Sequence, residues 1–306
     1  MILNRLLNIK YPIIQGAMAH IATGEFAAAV SNAGGLGVIS SAVYTADELR
    51  RQIRICKAKT ERPYAVNLLL LHREIDEIVD VVLREDVKIV TTGAGNPSKY
   101  MMDFKANNVK VMPVVSSVAL AKKLASEGAF AIIAEGCEAG GHVGDLSTMA
   151  LLPQVCDAVD IPVIAAGGIA TGRQLLAARV LGACGAQIGT ALLATAECPI
   201  HENYQKSVVN ARSSRVVVIG GLNGYKTQVI KNNMTRQYIA AEKAGKSKEE
   251  LELYTMGALA RAVRQGDVIN GSIMAGQVVG QVNEKTDLAN IFKKLMCDYE
   301  SVKTQI

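Results

Sequence analysis

Tryptophan is absent from this 306-residue chain, and aromatic residues make up only 4% of it. That scarcity excludes an aromatic-girdled membrane barrel and a base-stacking platform for nucleic acid. Six cysteines are present (Cys56, Cys137, Cys156, Cys184, Cys198 and Cys297), but no two are spaced C-x-x-C. Neither a zinc site nor a disulfide framework is therefore indicated, and reduced thiols in a cytoplasmic protein are expected. The N-terminus carries Arg5 and Lys10 and lacks the apolar run of a secretory signal. Stretches 26–46 and 180–196 are uncharged, yet glycines and polar residues interrupt both. They read as strand–turn–helix segments, so no membrane span is expected.

Half of the residues are hydrophobic and 20% are charged, the balance of a folded globular chain. Short Val/Ile/Ala/Leu runs, each ending in small or polar residues, predict strands at 13–18, 36–40, 64–69, 87–92, 110–115, 129–135, 162–166 and 186–190. None alternates strictly, as expected for parallel strands covered on both faces. Helical patterns lie between them: Thr45 is a candidate N-cap before Asp47 and Glu48, Asn96-Pro97 opens another helix, and Gly128 closes the one beginning near Ser117. Strand starts recur at intervals of roughly 20 to 33 residues. Eight such units predict an α/β fold, a TIM (β/α)8 barrel, over an open doubly wound sheet.

After residue 196 the texture changes. Residues 197–270 hold 11 Lys/Arg and 7 Asp/Glu, which is +4 of the chain's formal +5. This stretch reads as a mainly helical insertion, including a helix over 251–264, packed as a lid on the barrel mouth. Residues 1–196 and 271–306 then form the barrel. Mixed signs and the lack of an aromatic RNA motif argue against nucleic acid; the positive excess suits an acidic partner or an anionic substrate.

In such barrels the site lies at the C-terminal strand ends, with phosphate often held after strands 7 and 8. Here those loops carry Gly167 and Gly168, then Gln187, Gly189 and Thr190, and glycine lets backbone amides approach an anion closely. His142 sits on a glycine-flexed loop beyond the sixth strand, placed to act as acid, base or hydrogen-bond donor. His20 follows the first strand and could reach the same mouth. Cys137 invites a nucleophile reading, although a buried structural thiol is the commoner case. Glu135 and Glu138 could form a hydrolytic carboxylate pair, or Glu135 could simply bind ligand. The glycine pattern at 93–98 sits between strand and helix, but the acid expected after the next strand is missing, where the chain reads Val114-Val115-Ser116. A Rossmann-type NAD site is accordingly weak.

Several segments in order carry a family likeness: YPIIQGAMA (11–19), AGGLG (33–37), Val66-Asn67, VTTGAGNPSKY (90–100), AEG (134–136), EAGGH (138–142), IPVIAAGGI (161–169) and MAGQ (274–277). Together they resemble the FMN-dependent enoyl-acyl-carrier-protein reductase II and nitronate monooxygenase (2-nitropropane dioxygenase) family. VIKNNMTR (229–236) and Gly266-Asp267-Val268 are similar to the reductase branch.

The resemblance implies FMN, with the phosphate on Gly167, Gly168, Gly189 and Thr190. Ala17, Met18, Asn67, Glu135, Gly141, Gln187, Met274, Gly276 and Gln277 would surround the ribityl chain and ring. It also implies NADH or NADPH as electron donor and His142 as the catalytic residue. The expected reaction is reduction of trans-2-enoyl thioesters in fatty acid synthesis. A nitronate monooxygenase and a catalytically silent flavin-binding relative are the alternatives, and a flavin-free phosphate-binding lyase or isomerase is a further class. Expected partners are an acyl carrier protein or a small-molecule substrate, and a homodimer is compatible with the family. Three departures stand out: Ser40-Ser41-Ala42-Val43 where the family has more glycine, Ala191 where reductases carry arginine, and Tyr225-Lys226-Thr227-Gln228 in place of a His-x-x-Arg pattern.

Overall fold

The computed structural model describes residues 1–305 apart from 223 and 224. Its main sheet is built from β1 (Ile13–Gln15), β2 (Gly37–Ser40), β3 (Tyr64–Leu69), β4 (Ile89–Gly93), β5 (Lys110–Val115) and β6 (Ile132–Glu135). After a two-residue strand, β7 (Gly141–His142), come β8 (Val163–Ala166) and β9 (Gly185–Ile188). The eight long-range partners are all parallel, in the order β1-β9-β8-β6-β5-β4-β3-β2. A parallel bridge between Ile14 and Leu36 joins β1 to the start of β2 and brings the two ends of the sheet together. The fold is therefore the expected eight-stranded α/β barrel.

The inside is packed with Leu36, Val38, Ala65, Ile89, Met112, Ile133 and Ile164. Leu3 and Leu7, from the short helix Leu3–Leu7, join that cluster. Leu3 N donates to Cys184 O beside the start of β9, and Lys110 Nζ at the start of β5 donates to Leu6 O. The helix thus plugs the N-terminal end of the barrel and leaves the C-terminal end open. Outside, helices cover the strands with a larger apolar layer that includes Phe26, Leu49, Ile78, Phe104, Leu151 and Phe292. Local signals place these helices: Thr45 and Glu48 form a reciprocal capping box, Asn96 caps the turn opened by Pro97, and Ser117 caps Val118–Ser126.

The stretch after β9 contains more than helices. β10 (Val216–Ile219) and β11 (Thr227–Ile230) pair antiparallel, and β11 continues onto β7 with Thr227 opposite His142. The expected helix over 251–264 is broken into Lys248–Thr255, Ala258–Ala260 and a π-helical turn, Arg261–Gln265. Gly257 interrupts it with φ +67°, a left-handed conformation that ends helices. A small second core of Ile219, Val229, Met234, Tyr238 and Leu251 holds the hairpin to its helices. The last helix, Leu288–Lys303, returns to lie on Gly172–Val180, where a Cβ at Gly172 would fall 2.1 Å from Tyr299 N. Among the described residues no helix is long and apolar enough to cross a membrane.

Candidate active site

At the open end of the barrel lies a cavity of about 660 Å³, within the range of small-molecule and cofactor sites. Its barrel-side wall is largely main chain. Gly167 and Gly168 follow β8 with φ of +86° and +75°, conformations that side-chain-bearing residues rarely adopt. The backbone amides of Gly168, Ile169, Gly189 and Thr190 donate to no acceptor among the described residues. Four undonated N–H groups at two neighbouring strand ends make a concavity suited to an anion. Thr190 is fixed there because its Oγ1 accepts from Gly276 N at 2.9 Å, leaving its hydroxyl proton free.

Polar side chains punctuate the rest of the wall. Asn67 on β3 donates from Nδ2 to Thr91 Oγ1 (2.9 Å), which fixes its amide plane and leaves its carbonyl oxygen free. Gln187 is buried on β9. Glu135 ends β6 and accepts no hydrogen bond among the described residues, and burial pushes its carboxyl up to about 7. Near neutral pH it is thus poised between donor and acceptor. Glu138 is committed elsewhere: it accepts from Thr148 N (2.9 and 3.0 Å) and Thr148 Oγ1 (3.0 Å) at the start of the helix Thr148–Ala158. The hydrolytic pairing of Glu135 with Glu138 is therefore not formed. Cys137 is no better suited to its nucleophile reading, because burial and the neighbouring Glu138 charge raise its thiol and keep it protonated.

Opposite the glycine loops stands His142, held on β7 by its register with β11. Its Nδ1 lies 3.0 Å from Thr227 Oγ1, and that hydroxyl is also 3.2 Å from Tyr225 O. A hydroxyl has one proton, so it cannot donate to both. If Thr227 donates to Tyr225 O, His142 must carry its proton on Nδ1, and Nε2 is a lone-pair base. If Thr227 turns to donate to Nδ1, Nε2 carries the proton. The ring is exposed at the cavity mouth, yet the groups packed around it desolvate it in part and hold the imidazole below its usual range, so the neutral form is favoured near pH 7.

Ala17, Met18, Asn67, Glu135, Gly141, His142, Gly167, Gly168, Gln187, Gly189, Thr190 and Met274 all line this one cavity. Gly276 and Gln277 stand behind it: Gly276 meets Thr190, and Gln277 Nε2 donates to Gln228 Oε1 (3.2 Å). Gln228 in turn donates to Ala139 O at 2.5 Å and is buried. Where the family pattern has arginine, this chain thus uses two neutral amides to pin the loop that carries His142. Ala191 is also buried. His20 is at the rim, 3.3 Å from Arg264 Nη2; because a guanidinium only donates, His20 Nδ1 is the acceptor and the ring is neutral there. Two contributors lay outside the sequence expectations. Thr227 orients His142, and buried Tyr204 lines the cavity while donating to Met274 O (2.8 Å).

Comparison with known proteins follows the same lines. A family model described as nitronate monooxygenase matches residues 1–80 and 74–298. A (3aS,4S,5R,7aS)-5-hydroxy-7a-methyl-1-oxo-octahydro-1H-indene-4-carboxyl-CoA dehydrogenase from Rhodococcus jostii is 37% identical over 70% of this chain, and the match spans 62% of that protein's length. A probable nitronate monooxygenase from Staphylococcus saprophyticus is 33% identical over 74% of this chain and 77% of its own. The structure of FabK from Thermotoga maritima superposes with a TM-score of 0.96 at 40% identity, covering 99% of this chain and 97% of that one.

Proposed function

The chain belongs to the nitronate monooxygenase family, and from that premise we propose that it is an FMN-dependent oxidoreductase reducing trans-2-enoyl thioesters on an acyl carrier protein with NADH or NADPH. The observation that carries this reading is the set of four undonated amides at the ends of β8 and β9, across one cavity from His142. The closeness to FabK over nearly the whole chain favours the reductase among the family's activities.

The residues present fit FMN. A dianionic phosphate would satisfy the amides of Gly168, Ile169, Gly189 and Thr190, with the Thr190 hydroxyl as a fifth donor. Asn67, Gln187 and Glu135 would meet the polar edges of the ribityl chain and ring. Ala17, Met18, Gly141 and Met274 give smooth, small or apolar wall against a flat ring. When bound, FMN would supply the hydride chemistry, and the protein orients the partners and sets their electrostatics. Glu135 held protonated would donate a hydrogen bond without adding negative charge to a cavity that receives a phosphate. His142, with the Thr227 hydroxyl turned toward Nδ1, would present Nε2–H to the thioester carbonyl oxygen and stabilise the negative charge that develops there.

A second reading draws on the other hydroxyl orientation. With Thr227 donating to Tyr225 O, His142 Nε2 is a neutral base, the form needed to take a proton from a nitroalkane carbon. Anaerobic stopped-flow absorbance separates the two. Bleaching of bound flavin by NADH, followed by reoxidation on adding a crotonyl thioester, is the expected result. A properly bound flavin that neither NADH nor NADPH can bleach would sink the reductase reading. Oxygen uptake with an alkyl nitronate would then identify the monooxygenase, and neither response would identify a silent flavin-binding relative.

A further inference from the structure

A second concave site of about 660 Å³ lies on the far side of the β10–β11 hairpin wall. Four cations line it, Arg212, Arg215, Lys231 and Arg236, and no carboxylate does. None of the four forms an ion pair among the described residues, although many other lysines and arginines do. Residues 197–270 carry 11 cations and 7 acids. Without these four, the stretch holds seven of each sign, so its whole positive excess is gathered in one cleft. All four side chains are exposed, and Arg215 donates to Lys231 O at 2.9 Å, which fixes the spacing of two of them. Like charges assembled around a hollow repel one another, and an anionic partner relieves that repulsion.

The cleft and the catalytic cavity share a wall. Ile230 and Ile273 face the cleft, and the next residue, Met274, lines the cavity. Ile230 N donates to Ile273 O at 2.8 Å, and Val229 bridges to Met274. Along β11, Thr227 beside His142 is three residues from Ile230, about 10 Å of extended chain. The first amides of the helix Asn233–Lys243 already donate to Ile269 O, so recognition here falls to the side chains.

We propose that this cleft docks an acidic face of the carrier protein that brings the thioester, placing the carrier one layer of chain from His142. The proposal rests on the enoyl thioester reading for the cargo but not for the docking itself. A small phosphorylated ligand is the competing occupant. Because all four cations are exposed rather than enclosed, the cleft favours a protein surface over a sequestered phosphate.

The test uses the FMN-loaded full chain and an apo acyl carrier protein lacking its prosthetic arm, so that binding does not depend on turnover. Isothermal titration at low salt should show binding that weakens steeply as salt is raised. The Arg212→Glu/Arg236→Glu double variant should lose on the order of tenfold or more in affinity, and Arg212→Gln/Arg236→Gln should lose less. With the crotonyl group on the carrier, KM should rise by a similar factor. With the same group on N-acetylcysteamine, kcat and KM should stay within about twofold, which also shows that the variants are folded. Unchanged carrier affinity in both variants would overturn the proposal, as would equal losses on both thioesters. Inorganic pyrophosphate binding that the variants abolish while carrier affinity holds would assign the cleft to phosphate instead. If no thioester is turned over, the function reading fails, and the apo-carrier titration still decides the docking site.

Discussion

The two walls of the catalytic cavity are built from different materials. The barrel wall offers main chain: Gly168, Ile169, Gly189 and Thr190 present N–H groups just beyond rigid strand ends. The ribbon wall offers side chains: His142, oriented by Thr227, on a two-residue strand whose neighbour is a hairpin. Main-chain donors are insensitive to most substitutions, but where the backbone turns left-handed, as at Gly167 and Gly168, a Cβ is excluded. Side-chain groups are easily exchanged yet depend on contacts far away in sequence. One wall therefore suits a constant cofactor, and the other suits a substrate and a reaction that vary within a family.

The sharpest way to break the barrel wall is to add a methyl group. A Cβ at Gly167 would lie 2.8 Å from Gly136 O and 3.1 Å from Ala139 N, at a φ of +86°. Gly167→Ala should therefore displace the loop and remove flavin binding, lowering FMN affinity by roughly a hundredfold or more and stability by about 2 kcal/mol. Visible absorbance of the purified protein and a thermal melt check both. A yellow variant with wild-type affinity would show that this loop does not hold the phosphate.

The ribbon wall should break differently. His142→Ala is expected to lower kcat by roughly 100-fold or more while leaving FMN bound. Loss of flavin together with activity would erase the distinction between the walls. Thr227 acts only through His142, so its effect should be smaller. Thr227→Val should reduce kcat about tenfold and alter the pH profile without changing flavin affinity, and Thr227→Ser should restore both. Both chemistries use a neutral imidazole, so either gives a rate that rises with pH through an apparent pKa below the usual histidine range, and a rate that falls instead would make the imidazolium the active form and overturn both hydroxyl assignments.

The same contrast explains what could be read from the chain. The main-chain wall was legible because a backbone function leaves glycine as its trace, and strands 64–69 and 110–115 agree with β3 and β5 to the residue. The strand expected over 13–18 stops at Gln15, since Gly16 to Met18 leave the sheet to line the cavity. The ribbon wall was not legible. Thr227 and His142 are 85 residues apart in sequence, and no local pattern announces their pairing. The β-branched runs at Val216–Ile219 and Thr227–Ile230 did carry a hairpin signal, but the surrounding polar helices masked it. Likewise, the helical periodicity across 251–264 is real, and one left-handed glycine at 257 overrides it.

Glu135 sits where the two walls meet, and it gives the smallest and finest of the tests. Its carboxyl is raised from 4.5 to about 7 by burial. The folded state therefore binds more protons than the unfolded chain between those values, and stability must fall as pH rises through that window and level off above it. After discounting for the open cavity beside it, the contribution is roughly 2 kcal/mol across the window. Glu135→Gln keeps the shape and removes the titration, so its denaturation midpoint should be nearly flat where the wild type slopes. Saturating FMN sharpens the comparison. If Glu135 donates to the cofactor in its neutral form, flavin affinity of the wild type should drop above pH 7 while that of Glu135→Gln holds constant. If Glu135 binds as the anion, affinity should rise instead, and the charge would belong to the barrel wall's recognition of the cofactor rather than to its desolvation.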